Sequence, residues 1–234
     1  MRLGQLIIEV TRRCNTHCAH CLRGDPQKMD INNVTIDKIL EGVEYIDTIT
    51  FTGGEPTLAV NRIRFIADRI MQKGIGLGNF YVITNGIEAS MDLVKVLIDL
   101  YAYADSNEVS GLCISGDQYH TEVIDSTEDA RRLYSALSFF HPEARKGKIK
   151  DAGLIAEGRA KGWGGRQALL NSMCLGMDDD GKIEVIDGEV YVNVKGDVIP
   201  SCDLSYETQD EEKVGSVHEN TLAQILTRKY EKET

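Results

Sequence analysis

The sequence predicts an α/β fold built around a parallel sheet. Short runs rich in apolar and β-branched residues alternate with segments whose apolar residues recur at helical spacing. The spacing of these runs is that of βαβ units, which join parallel strands through a helix. The 234 residues include 42% hydrophobic side chains and 22 glycines but only 4 prolines. That is enough apolar material for a sizeable core.

Gln5–Thr11 reads as the first strand. Thr35–Tyr45 reads as a helix, with Ile36, Ile39, Leu40 and Val43 at helical spacing. Asp47–Thr52 is a second strand, and Val60–Gln72 a helix with Ile63, Ile66, Ala67 and Ile70 on one face. Phe80–Thr84, Ser90–Tyr103 and Val109–Ser115 continue as strand, helix and strand. Thr127–Phe140 is expected to be a fourth helix, closed by His141-Pro142, and Ile149–Ala156 a fifth strand. The pattern changes after about Lys161. Between Lys182 and Pro200 three short strands are expected to form an antiparallel meander, with turns at Asp187-Gly188 and Lys195-Gly196-Asp197. The acidic stretch Asp203–Glu212 reads as solvated loop, and Leu222–Tyr230 as a closing helix.

Charge and cysteine usage narrow the function. There are 26 basic and 37 acidic residues, a formal net charge of −11. This counts against a large nucleic-acid partner, which selects a basic surface. No run approaches the ~20 apolar residues of a membrane span. The N-terminal segment lacks a small-residue cleavage site and reads as a strand, so a cytoplasmic location is expected. Three of the six cysteines fall within eight residues, Cys14-Asn-Thr-His-Cys18-Ala-His-Cys21. In a chain of this kind, clustered cysteines point to metal or catalysis before disulfides. Three thiolates on one loop can hold three corners of a cubane iron–sulfur cluster and leave one iron open for a ligand. The competing reading is zinc on the same three cysteines, with His17 or His20 as the fourth ligand.

Three polar motifs sit at the C-terminal ends of the following strands, the edge where parallel α/β folds bind ligands. They are Thr52-Gly53-Gly54-Glu55-Pro56, Thr84-Asn85-Gly86 and Ser115-Gly116-Asp117. The glycines allow a ligand to touch the backbone, Glu55 offers a carboxylate to an ammonium, and Ser115 and Asp117 suit ribose hydroxyls.

LIIEVTRRCNTHCAHC, followed in order by GGEP, TNG and SGD, resembles the radical S-adenosylmethionine (SAM) enzymes, and the resemblance covers about residues 5–160. It implies a partial (β/α)6 barrel. It also implies a [4Fe-4S] cluster on Cys14, Cys18 and Cys21 whose open iron chelates SAM. Reduction by a donor such as flavodoxin or ferredoxin would cleave SAM to a 5′-deoxyadenosyl radical, which abstracts a hydrogen atom from the substrate. By the same resemblance, Gly53, Gly54 and Glu55 would hold the SAM amino group. Asn85, Ser115 and Asp117 would face the ribose or carboxylate, His20 would pack near the adenine, and Arg159 in Gly158-Arg159-Ala160 would reach the carboxylate. Cys113 lies two residues before Ser115 and so shares its face. There it either fills the core or returns a hydrogen atom to a substrate radical.

The last third, with Cys174, Gly196-Asp-Val-Ile-Pro-Ser-Cys202 and a closing helix, resembles the SPASM/twitch extension of peptide-modifying radical SAM enzymes. Only Cys174 and Cys202 remain there, whereas a second cluster normally needs four ligands. The expected organisation is therefore a barrel over residues 1–165 and a reduced, twitch-like extension over 166–234. The expected substrate is a peptide or protein. The alternative is a compact enzyme acting on a small molecule or nucleotide, similar to deazapurine synthases or activases.

Overall fold

The computed structural model describes residues 1–142, 146–170 and 173–233. Its strands are β1 (Arg2–Thr11), β2 (Tyr45–Gly53), β3 (Gly76–Thr84), β4 (Gly111–Ile114), β5 (Gly116–Asp117), β6 (Lys146–Gly147), β7 (Met173–Met177), β8 (Ile183–Val192), β9 (Asp197–Ile199) and β10 (Gly215–Ser216). Its helices are α1 (Asn33–Ile39), α2 (Val60–Lys73), α3 (Met91–Tyr103), α4 (Gln118–Thr121), α5 (Glu128–Tyr134), α6 (Tyr206–Glu211) and α7 (Leu222–Glu233). The main sheet runs β10-β9-β8-β1-β2-β3-β4, with β7 also paired to β8. β1 to β4 are mutually parallel. The α/β class and an open, partial barrel are thus as expected.

β1 sits at the centre with a parallel neighbour on each side, β2 and β8. A strand so enclosed reads as the near-continuous apolar run LIIEV. Leu6, Ile8 and Val10 enter the core shared with the helices, while Ile7 packs on the other face with Tyr191, Ile199 and Leu204. α2 buries Ile63, Ile66, Ala67 and Ile70 and ends on Gly74, whose φ of 65° suits a residue without Cβ. Each buried isoleucine contributes about 1.5–3 kcal/mol. Asn32 and Ser90 cap α1 and α3 by accepting bonds from Thr35 and Leu93 N–H.

Four expectations are corrected. The helix expected at Thr127–Phe140 stops at Tyr134. Phe139 and His141 are instead drawn out beside β4, where Leu112 N–H bonds the Phe139 carbonyl at 2.9 Å and His141 N–H bonds the Leu112 carbonyl at 3.0 Å. The strand expected at Ile149–Ala156 does not form. Charged residues and Gly153 leave it a short 3₁₀ turn, Asp151–Gly153, and one bridge, Ile155 to Arg166. Among the described residues, the main sheet ends at β4 apart from the Leu112–Phe140 bridge, and β5 and β6 form a separate two-stranded sheet. The two strands expected around Asp187-Gly188 are one strand, β8. It is held extended by partners on both flanks, and the would-be turn is a bulge at Gly188, φ 83°. Within the expected acidic loop, Ser205 caps the short helix α6. Among the described residues, no helix is long and apolar enough to cross a membrane.

The C-terminal third is locked to β1 by a buried polar network. Glu9 and Arg12 are both fully buried, with Arg12 Nε 2.7 Å from Glu9 Oε1. Tyr191 Oη donates to Glu9 Oε2 at 2.7 Å, and Arg12 Nη2 donates to Gln209 Oε1 at 2.8 Å. Removing one partner of such a pair strands the other charge away from water. Arg12→Met is therefore expected to lower the unfolding free energy of the metal-free protein by about 3–5 kcal/mol, read from urea denaturation. A loss within experimental error would show that the network carries no stability.

Candidate active site

The loop after β1 is closed at its base by backbone bonds, Arg12 N–H to the Met29 carbonyl (2.8 Å) and Gln27 N–H to the Arg12 carbonyl (2.9 Å). The end of β2 fastens it from the side. Gly54 N–H donates to the Thr11 carbonyl at 2.9 Å, and Glu55 N–H to the Arg13 carbonyl at 2.8 Å. A Cβ at Gly53 would stand 2.1 Å from Thr11 O, and one at Gly54 2.2 Å from Arg13 O. The paired glycines are therefore required for this approach. A third clamp comes from the far side, where Arg159 N–H bonds the Cys21 carbonyl (2.9 Å) and its guanidinium bonds the Cys18 carbonyl (3.1 Å).

Cys14, Cys18 and Cys21 line one cavity together with Thr16, Gly54, Tyr206 and the guanidinium-bearing Arg12, Arg23 and Arg159. The Thr16 hydroxyl lies 3.1 Å from Cys14 Sγ and 3.6 Å from Cys18 Sγ, so two thiols face one point. Burial pushes the Cys14 thiol up. It also pushes Cys18 up, but hydrogen bonds from His120 and Thr16 more than reverse this, and the net direction is down. The partner effect falls on His120. Burial lowers its imidazole, and Asp117 and Cys18 then raise it to about 9. Thiolate is the form that binds metal. Three soft donors around one cavity, with nearby positive charge to offset theirs, fit an iron–sulfur cluster. The zinc alternative gains nothing: His17 is exposed, and His20 stacks on Tyr119 at 4.6 Å. Among the described residues, His20 groups with Asp117 and His120, and His120 in turn hydrogen-bonds Cys18.

The strand-end motifs converge on this loop, and several of their side chains are engaged within the protein. Glu55 is 2% exposed, and its carboxylate is turned inward. Oε1 accepts from Thr57 N–H, Thr57 Oγ1 and Thr84 Oγ1, and Oε2 from Asn85 N–H at 2.8 Å. Burial pushes this carboxyl up against the pull of those donors. Glu55 thus ties the end of β2 to the end of β3. The Asn85 amide donates to Asn15 Oδ1 at 2.7 Å and so pins the cysteine loop. Ser115 is half-buried at the end of β4, its N–H on the Thr84 carbonyl. Asp117 caps α4 and holds His120 Nδ1 at 2.7 Å, with His20 Nε2 at 3.7 Å. The Arg159 guanidinium is engaged with Asp25 and Cys18.

Cys113 lies between Leu112 and Ile114, which point into the helix-side core, so its own side chain points to the barrel interior. It is fully buried, with Sγ 2.9 Å from Tyr81 Oη. In the C-terminal third, Cys174 is exposed on β7 opposite Asp187. Burial, reinforced by Glu189, pushes the Cys202 thiol up to about 12. That disfavours the thiolate a metal would need.

Sequence reasoning missed Thr16, His120, Arg12, Arg23 and Tyr206. Thr16 and the arginines lie within or beside the cysteine run, and His120 stands three residues after Asp117 at a helix start, so position alone could have flagged them. Nothing local to Tyr206 marks it.

The family model of the radical SAM superfamily matches residues 8–137, more than half of the chain. The chain belongs to the radical SAM superfamily. Members of this superfamily use a [4Fe-4S] cluster and SAM. A stretch of 69 residues is 36% identical to an uncharacterized protein of Methanocaldococcus jannaschii, covering 28% of this chain and 24% of that protein. Another of 93 residues is 33% identical to the GTP 3′,8-cyclase of Peptoclostridium acidaminophilum, covering 37% of this chain and 28% of that enzyme. The chain thus spans about a quarter of the length of these curated relatives. Among solved structures, native anSMEcpe with bound AdoMet and Cp18Cys peptide shares the fold. Its TM-score is 0.55 at 12% identity, over 96% of this chain and 80% of that one.

A Cβ at position 54 forces the end of β2 away from the cysteine loop. Gly54→Ala is expected to lower stability by about 1–3 kcal/mol and to reduce iron bound per chain after anaerobic reconstitution. Full iron content in this variant would show that the close approach is not needed to shape the loop.

Proposed function

We propose that this radical SAM enzyme abstracts a hydrogen atom from a peptide or protein substrate, with Cys14, Cys18 and Cys21 as the cluster ligands. When bound, the cluster and SAM supply one-electron cleavage of the sulfonium and hydrogen-atom abstraction from the substrate. The chain's own residues supply placement. Gly53 and Gly54 bring the β2 end against the cysteine loop, where the backbone can meet the SAM amino group. Glu55, through Thr84 and Asn85, fixes the neighbouring strand end. Ser115, Asp117 and His20 line the side toward β4, where the ribose and adenine belong. Residues 1–165 form the catalytic barrel, and 166–234 cover it without an auxiliary cluster. A flavodoxin- or ferredoxin-type protein supplies the electron.

The observation that carries the substrate reading is the interrupted sheet beyond β4. Among the described residues, only the Leu112–Phe140 bridge continues it, and β5–β6 is a separate pair. This flank, beside the wall carrying Tyr81 and the buried Cys113, is the side from which we propose an extended chain approaches. The fold neighbour seen with a peptide supports this reading. The GTP 3′,8-cyclase relative supports the alternative, a nucleotide substrate.

The test is isotopic. Reconstituted protein is reduced anaerobically with SAM and either perdeuterated peptides or perdeuterated nucleotides. Deuterium is expected in 5′-deoxyadenosine from the peptides, and deuterium from the nucleotides alone would overturn the substrate reading. Cys18→Ala is expected to abolish 5′-deoxyadenosine formation, whereas Cys174→Ala leaves substrate-free SAM cleavage intact. Cys113→Ala is expected to spare cleavage and block turnover. Full turnover in that variant would remove Cys113 from the chemistry.

A further inference from the structure

The C-terminal extension meets the cysteine loop at residues 204–209 and at Tyr191 of β8, whose ring lies 4.8 Å from the Arg23 guanidinium. Arg23 Nη1 donates to the Leu204 carbonyl at 2.6 Å, and Tyr206 N–H donates to the Arg23 carbonyl at 3.1 Å. Glu157 Oε2 accepts from Ser205 N–H at 3.2 Å and from Thr208 Oγ1 at 2.8 Å. The Arg12 guanidinium lies 4.4 Å over the Tyr206 ring and also holds Gln209. These bonds leave Tyr206 little freedom. Its ring forms part of the wall of the cavity that the three cysteines surround.

One atom in this arrangement lacks a partner. Tyr206 is 4% exposed, and its hydroxyl is buried with no hydrogen-bond acceptor. A buried, unsatisfied hydroxyl costs about 1–3 kcal/mol, and tyrosine hydroxyls in cores ordinarily find partners. The phenol is a donor at neutral pH. The cavity it shares is where sulfur acceptors belong, in the Cys21 thiolate and in the sulfides of a bound cluster.

We infer that the Tyr206 hydroxyl donates a hydrogen bond to a sulfur of the bound iron–sulfur cluster, making the C-terminal extension an outer-sphere tuner of that cluster. The inference rests on the cluster reading above. Hydrogen bonds to cluster sulfur stabilise the more negative, reduced state and so raise the reduction potential. The extension thereby acts on the electron-entry step with a side chain. Tyr206 is a positioning and tuning residue and touches no substrate.

Tyr206→Phe removes one oxygen and no ring contact. The metal-free variant is expected to be as stable as the parent or more so, because the lost hydroxyl is unsatisfied. After reconstitution to equal iron and sulfide content, spectroelectrochemical titration should show a more negative midpoint. At the parent's midpoint the reduced-to-oxidised ratio is expected to fall roughly tenfold, the equivalent of one charge-assisted hydrogen bond of about 1.4 kcal/mol. Proton electron–nuclear double resonance of the reduced cluster should lose one exchangeable coupling. An unchanged midpoint and an unchanged coupling would overturn the inference, as would a destabilised metal-free variant, which would reveal an existing partner for the hydroxyl. If the parent protein binds no cluster, the cluster reading itself fails, and this inference fails with it. If the parent binds one and the variant matches it, only the role of Tyr206 is lost.

Discussion

The site depends on how closely the end of β2 approaches the end of β1. Two backbone bonds, from Gly54 to Thr11 and from Glu55 to Arg13, hold the two strands together where the cysteine loop begins. The contact tolerates no Cβ at either glycine. Once it is made, Glu55 is carried into the core beside β3, where four donors converge on its carboxylate. Asn85, positioned by that carboxylate, reaches back to Asn15 in the loop. A chain of short bonds across three strand ends thus fixes where the thiols stand. Because it consists largely of backbone groups and buried side chains, it can hold the loop before any metal arrives.

This changes the meaning of the motifs. Residues spaced at strand ends read naturally as ligand contacts, and the edge they occupy is the right one. Yet Glu55, Asn85 and Arg159 also engage each other and the loop, and Asp117 holds His120. These bonds add rigidity. A reaction that generates a reactive species near protein hydrogens needs its cofactor placed to within a fraction of an ångström, and short polar side chains locked by several bonds supply that better than mobile surface groups.

The legible parts of the sequence were those set by local pattern. The enclosed strands announced themselves as apolar runs, α2 and α3 as stripes, and the cysteine triplet by spacing alone. The illegible parts were decided at long range. Phe139 and Phe140 look like the end of a helix, and only the unpaired flank of β4 draws them into extended conformation. Asp187-Gly188 looks like a turn, and only partners on both sides of β8 make it a bulge within one strand. Tyr206 sits in an acidic stretch with nothing to distinguish it. Its place at the cavity follows from Arg12, Arg23 and Glu157, which lie elsewhere in the chain.

The pairing of β8 beside β1 has a consequence for the order in which the molecule is built. A chain leaving the ribosome completes β1 to β4 long before residues 183–192 exist, and N-terminal parts fold first. During that interval one flank of β1 is an open edge, the kind of surface that invites wrong pairing. The same interval leaves the cysteine loop formed but uncovered, because the strand that seals the edge and the segment that roofs the cavity are both translated late. Iron and sulfide arriving in that interval would meet an accessible nest, which β8 and the segment around Tyr206 then flank in the finished protein.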